Sequence, residues 1–157
     1  MGGCKAERRE ELTTEGGLDA IAGLDGGALG SFIQRLAKVE IQVALFLDPV
    51  TEQIEAAKEL GAHAVELHTG EYCNAPESSQ EAELTRLIKA AALVDKLGLE
   101  CHAGHGITLD NVRPIAKIHE VVELNIGHAI IAEAVFDGLT NAIQRMRMAI
   151  DQAQIST

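Results

Sequence analysis

Two glycine-histidine arrangements carry the chemical potential of this chain. Gly104-His105-Gly106 follows the apolar run from Leu99, and Gly127-His128 follows the run from Val121 to Ile126. Histidine titrates near neutral pH and can give or take a proton, so His105 is a candidate general acid. The glycines open backbone conformations closed to other residues and let the chain approach a ligand closely. Exposed N–H groups there, together with the start of the next helix, suit a phosphate. For His128 a helix-capping side chain is the plain alternative. Glu66 is expected as a buried carboxylate on the inner side of a sheet, where catalytic and ion-paired structural roles are both open. His102-x-x-His105 with Glu66 has the donor set of a two-histidine, one-carboxylate metal site. Residues three apart on a strand point to opposite faces, however, so only a bend at Gly104 would bring both imidazoles to one ion, and no metal is expected. His63 and His119 read as surface or packing residues. Thr13, Thr14, Gly16 and Gly17 offer hydroxyl and backbone donors for a phosphate, or form a plain loop. No P-loop, nucleophile elbow or dinucleotide fingerprint occurs, and no cofactor is called for.

The elements that must position these residues alternate between strands and helices. Ile41 to Asp48 is a near-continuous apolar run of strand length. Asp48 then caps a helix with Pro49 at its first position, running through Ile54, Ala57 and Leu60 to Gly61. Ala62 to Thr69 alternates, with Val65 and Leu67 on one face and Glu66 and His68 on the other. A long polar loop is expected from Gly70 to Ser79. A helix marked by Leu84, Leu87, Ile88, Ala91 and Val94 follows, closed by Gly98 as a left-handed cap. Leu99 to His105 is the third strand; Thr108 or Asp110 caps a short helix with Val112 and Ile115, and Pro114 is tolerated near its start. Val121 to Ile126 is the fourth strand. A short apolar segment and a break at Gly138 precede a final helix with Leu139, Ile143, Met146 and Ile150 at helical spacing. Residues 1–30 read as an irregular loop region, with a short amphipathic helix only from about Phe32 to Val39.

Four strand-helix units in succession suit an open doubly wound sheet or part of a (β/α)8 barrel. The barrel is favoured, because polar residues on one strand face (Glu66 and His68; Glu123 and Asn125) fit a lumen near a catalytic rim better than a helix-covered sheet. The 157 residues form one domain, with 46% apolar residues for a core. A formal net charge of -11 argues against nucleic acid or an anionic membrane surface as partner. Neither a signal peptide nor a membrane span is expected, so the cytoplasm is the expected location. Cys4, Cys73 and Cys101 show no pairing pattern and should be reduced.

Thr-Thr-Glu-Gly-Gly-Leu-Asp (13–19), Glu-Leu-His-Thr-Gly-Glu-Tyr (66–72), Ala-Gly-His-Gly-Ile-Thr (103–108) and Glu-Leu-Asn-Ile-Gly-His-Ala-Ile-Ile (123–131) together resemble the pyridoxine 5'-phosphate synthase family. The resemblance runs from about residue 8 onward. It implies a TIM barrel of which this chain holds about the last four β/α units, the C-terminal half. It implies condensation of 1-deoxy-D-xylulose 5-phosphate with 3-amino-2-oxopropyl phosphate to pyridoxine 5'-phosphate, inorganic phosphate and water. By the same resemblance His105 matches a proton donor and Glu66 a charge-stabilising carboxylate, while Thr13, Gly106, Gly127 and His128 match substrate-binding positions. A homo-oligomer is expected. The family's earlier asparagine-aspartate-histidine loop, arginine- and histidine-rich loop and glutamate base have no counterparts here, and His102 stands where the family usually has asparagine. The alternative expectation is therefore an inactive half-barrel that binds phosphate ligands or docks on a full-length copy.

Overall fold

The computed structural model describes residues 16–25 and 27–155. Its centre is a sheet of four parallel strands, β1 (Ala44–Leu47), β2 (Ala64–His68), β3 (Glu100–Gly104) and β4 (Val121–Asn125). Their spatial order is their chain order. A doubly wound sheet reverses its strand order at a switch point, whereas a barrel adds each strand beside the last. The architecture is thus α/β, with consecutive units of the TIM-barrel kind. Among the described residues, eight helices connect and flank the strands: α1 (Ala20–Asp25), α2 (Ala28–Ala37), α3 (Thr51–Leu60), α4 (Gly70–Asn74), α5 (Glu77–Lys96), α6 (Val112–Ala116), α7 (His128–Asp137) and α8 (Leu139–Ile155).

Strand alternation divides the sheet into two unlike faces. Leu45, Leu47, Val65, Leu67, Cys101 and Ala103 are buried in one core with helix residues such as Ile54, Leu87, Val94 and Ile115. On the opposite face Phe46, Glu66, His102 and Glu123 occupy one row across the four strands. One layer nearer the carboxyl ends, His68, Gly104 and Asn125 form the next row. The register between β3 and β4 shifts at Cys101/His102, where Cys101 faces Val121 but His102 faces Glu123. Val122 is the extra residue of this irregularity and is left 68% exposed, while Glu123 is brought into the inner row.

Several local expectations are corrected. β1 is shorter than the apolar run because Ile41 N donates to Leu36 O and closes the end of α2 instead. Asp48 does not cap α3. That helix starts two residues after Pro49, with Val50 as its extended N-cap residue, and the Asp48 carboxylate is engaged by His68. The expected polar loop at 70–79 is helical over α4 and again from Glu77, the start of α5. Asn111, rather than Thr108 or Asp110, precedes α6; its carboxamide turns back to accept from Thr108 N at 2.8 Å. Within the region expected to be irregular, α1 and the start of α2 are helical. Thr13 and the rest of the segment before Gly16 lie outside the described residues.

The described part of the N-terminal motif is seated against β1. Leu18 N donates to Phe46 O at 2.8 Å, and Gln53 links Ala20 N and the Asp19 carboxylate at 2.7 and 3.1 Å. Gly17 lies so close to the Leu47–Asp48 backbone that a Cβ would overlap it, so only glycine fits. Packing of the helices onto the apolar face carries the stability of this arrangement. Ile54→Ala, at a fully buried position, should cost about 2–5 kcal/mol in urea unfolding. Val135→Ala, 77% exposed, should stay within about 0.5 kcal/mol of the parent.

Candidate active site

The carboxyl ends of β2, β3 and β4 open onto a cleft of about 850 Å³. Glu66, His105, Gly106, Gly127 and His128 all line it, so five of the six residues expected from the sequence come together. The pair α7 and α8 supplies the facing wall, including Glu133 and Met146. Arg145 of α8 holds α7 in place through Glu133 at 2.8 Å and Asp137 at 2.6 Å. Gly127 is the N-cap position of α7 and His128 its first residue, so a helix start, whose first N–H groups have no partner within the helix, lines the same cleft.

His105 is held in an uncommon backbone conformation, with φ 81° followed by Gly106 at 75°. A side-chain-bearing residue in this left-handed region requires support, and Thr69 supplies it. Fully buried, Thr69 accepts no solvent contact; its N–H donates to Gly104 O at 2.9 Å and its hydroxyl lies 2.8 Å from Gly104 O and 2.5 Å from His105 O. The single hydroxyl proton is shared between these two carbonyls. Asn111 secures the other side of the turn, donating to Gly106 O at 3.2 Å. The His105 ring rests edge-on against His68, with centroids 4.9 Å apart, and is tilted against Phe46 at 6.4 Å.

Glu66 reaches over Gly104, where a Cβ would collide with its Oε1. Burial raises the Glu66 carboxyl above its ordinary value of 4.5; nearby His102 opposes the rise, Glu123 adds to it, and a hydrogen bond with Asn125 opposes it. His102 itself lies between Glu100 at 3.5 Å and Glu123 at 3.7 Å. It belongs to the inner row, whereas His105 leaves the strand beyond Gly104, so the two imidazoles do not share a centre. Among the described residues no group of three His, Cys, Asp or Glu side chains is placed to hold a metal ion. The arrangement offers an imidazole at the rim, a carboxyl whose ionisation is opposed by burial, and backbone donors suited to an anion.

Asp48, His68, Thr69 and Asn111 are supporting residues that the motif reading did not single out. For His68 a signal was present, since strand alternation already put it on the inner face with Glu66. Asp48 was hidden by its equally good fit as a helix cap.

A carboxyl raised in the folded state stabilises that state below its unfolded value, and the contribution is lost as pH climbs through the folded value. Wild-type stability relative to Glu66→Gln should therefore fall as pH rises from about 4.5 towards neutrality, measured by urea unfolding at a series of pH values. A constant difference across that range would contradict the burial of this carboxyl.

A family model described as "Pyridoxal phosphate biosynthesis protein PdxJ" matches residues 6–152. Pyridoxine 5'-phosphate synthase of Rhodospirillum rubrum is 51% identical over 150 residues, which cover 94% of this chain and 59% of the relative. The proteins of the same name from a Sulfurihydrogenibium species and from Zymomonas mobilis are 51% and 49% identical over 148 residues, each covering 94% of this chain and 60% and 57% of the relative. The chain spans about 60% of the length of these curated relatives and corresponds to their C-terminal part.

Proposed function

Because the chain belongs to the PdxJ family of pyridoxal phosphate biosynthesis proteins, we propose that its cleft is the C-terminal share of a pyridoxine 5'-phosphate synthase active site. The reaction is condensation of 1-deoxy-D-xylulose 5-phosphate with 3-amino-2-oxopropyl phosphate, releasing inorganic phosphate and water. The observation that carries this reading is the convergence of Glu66, His105, Gly106, Gly127 and His128 on one cleft.

Each residue then has a role its surroundings suit. When the substrate amine has added to a ketone, the resulting hydroxyl leaves as water only if it receives a proton, and His105 is the donor at the rim. Loss of water leaves a positively charged nitrogen. A carboxyl disfavoured as an anion by burial gains most when a cation forms beside it, so Glu66 stabilises that charge. Gly106, Gly127 and His128 bind phosphate through backbone N–H groups and the start of α7. Thr13, on the resemblance alone, contributes a hydroxyl to substrate. The proposed setting is the cytoplasm, with phosphorylated small molecules and further copies of the chain as partners; no helix of the described residues is long and apolar enough to cross a membrane.

A second reading, a non-catalytic half-barrel that docks on another copy, is favoured by one feature. β4 ends the sheet with Val122 exposed, and Val135 and Phe136 of α7 are 77% and 88% exposed. Such an edge and apolar surface suit coverage by another chain.

The purified chain, supplied with the N-terminal part of a family member and given both phosphorylated substrates, should form pyridoxine 5'-phosphate. His105→Ala should lower turnover by about 10² or more with a modest change in KM. Binding of inorganic phosphate without product, by a particle that light scattering sizes as a defined oligomer, would favour the second reading. Absence of both product and phosphate binding would overturn both.

A further inference from the structure

We propose that Asp48 and His68 form a carboxylate–imidazole pair that positions the His105 ring. The inference rests on the reading of His105 as proton donor for its catalytic meaning, and on geometry for its existence. Asp48 leaves the end of β1, His68 ends β2, and His105 follows Gly104, the β3 partner of His68, so three adjacent strands bring the three side chains to neighbouring levels of the rim. His68 Nδ1 lies 3.0 Å from Asp48 Oδ1, and both side chains are nearly buried, at 11% and 12% exposed. An ionised carboxylate only accepts hydrogen bonds, so the His68 proton must sit on Nδ1, which fixes the tautomer and the plane of the ring.

That fixed ring is one of the aromatic surfaces against which His105 packs. Phe46 is another, and it also meets His68 edge-on at 5.1 Å, giving a cluster of three rings. Gly70 closes the cluster from beneath: a Cβ there would strike His68 Nε2 and lie 3.2 Å from His105 Cδ2. Thr69 already holds the His105 backbone through its carbonyl. Backbone and ring are thus restrained by consecutive residues of one segment, Thr69 and His68, and the restraint on the ring traces back to Asp48. A proton donor must present its nitrogen within a few tenths of an ångström of the leaving oxygen, which a freely rotating ring cannot do.

The pair acts through His105, the proposed proton donor, so Asp48 and His68 are positioning residues. The test uses long-range proton–nitrogen NMR of the purified, nitrogen-15-labelled chain at about pH 8, above the usual histidine range. It reads tautomers and ring environments without requiring turnover, so it stands apart from the fate of the proposed reaction. In the wild type His68 should show a single Nδ1-protonated tautomer. Asp48→Ala should convert it to a tautomer mixture and displace or broaden the His105 ring signals, while amide signals of the core stay in place. His68→Phe keeps an aromatic surface but cannot report on Asp48. Adding Asp48→Ala to that variant should leave His105 where His68→Phe alone puts it. Should Asp48→Ala fail to fold, Asp48→Leu removes the acceptor at similar volume and should likewise release the tautomer. The proposal is overturned if His68 keeps its tautomer without the Asp48 carboxylate. It is equally overturned if His105 is unmoved when His68 changes, or moves as much with Phe at position 68.

Discussion

A buried hydroxyl ties the exit of one strand to the exit of the next. Thr69 meets the carbonyls of Gly104 and His105 at the end of β3, and its own N–H repeats the contact to Gly104. Left-handed backbone at His105 costs on the order of 1–3 kcal/mol and persists only where the surroundings over-determine it. Two carbonyl contacts from a residue with no solvent exposure provide that determination. Without them the strand would have no reason to turn its histidine out at this point, and Gly106 would not reach the cleft.

The inner face shows how a parallel sheet tolerates charge. A row of Phe46, Glu66, His102 and Glu123 would be untenable against a helix layer, because unpaired buried charges cost several kcal/mol each. Here the row looks into the lumen, and an imidazole stands between carboxylates on either side. The apolar row one residue away packs against helices in the usual manner. Period-two alternation is what keeps these demands apart, and the irregularity at Val122 keeps the alternation in phase on β4, where an unbroken register would have exchanged Glu123 for an apolar side chain.

These same regularities explain what could be read from the sequence. The alternation from Val65 to His68 and the glycine stops at Gly61 and Gly98 are local signals, and the structure places each as expected; in the glycine-histidine turns, however, only Gly106 uses the left-handed backbone expected of the glycines, while His105 itself takes φ 81° and Gly127 an ordinary φ of -114°. Errors fell where a side chain had two good local uses and a distant partner decided between them. Asp48 fits a helix cap, but His68, twenty residues away, engages its carboxylate. The residue before α6 is a nearer case: the Asn111 amide accepts from Thr108 N, three residues back, and donates to Gly106 O, five back. In the glycine-dense stretch before Ala28, α1 forms because Asp19 and Gln53 tether its first turn, a contact across 34 positions that no local window contains.

Charge sets the last constraint. On the proposed reaction two phosphorylated molecules meet in one cleft, each phosphate carrying about -1.5 to -2 near pH 7. A helix start offers roughly +0.5, and among the described residues lining the cleft there is no lysine or arginine, while Glu66, Asp110 and Glu133 are acidic. Backbone donors and one or two imidazoles therefore orient a single phosphate well but do not neutralise two. Within the proposed function this assigns the chain's cleft one phosphate and the proton-transfer side of the chemistry. The compensating positive charge has to come from groups outside the described lining, contributed by whatever completes the lumen.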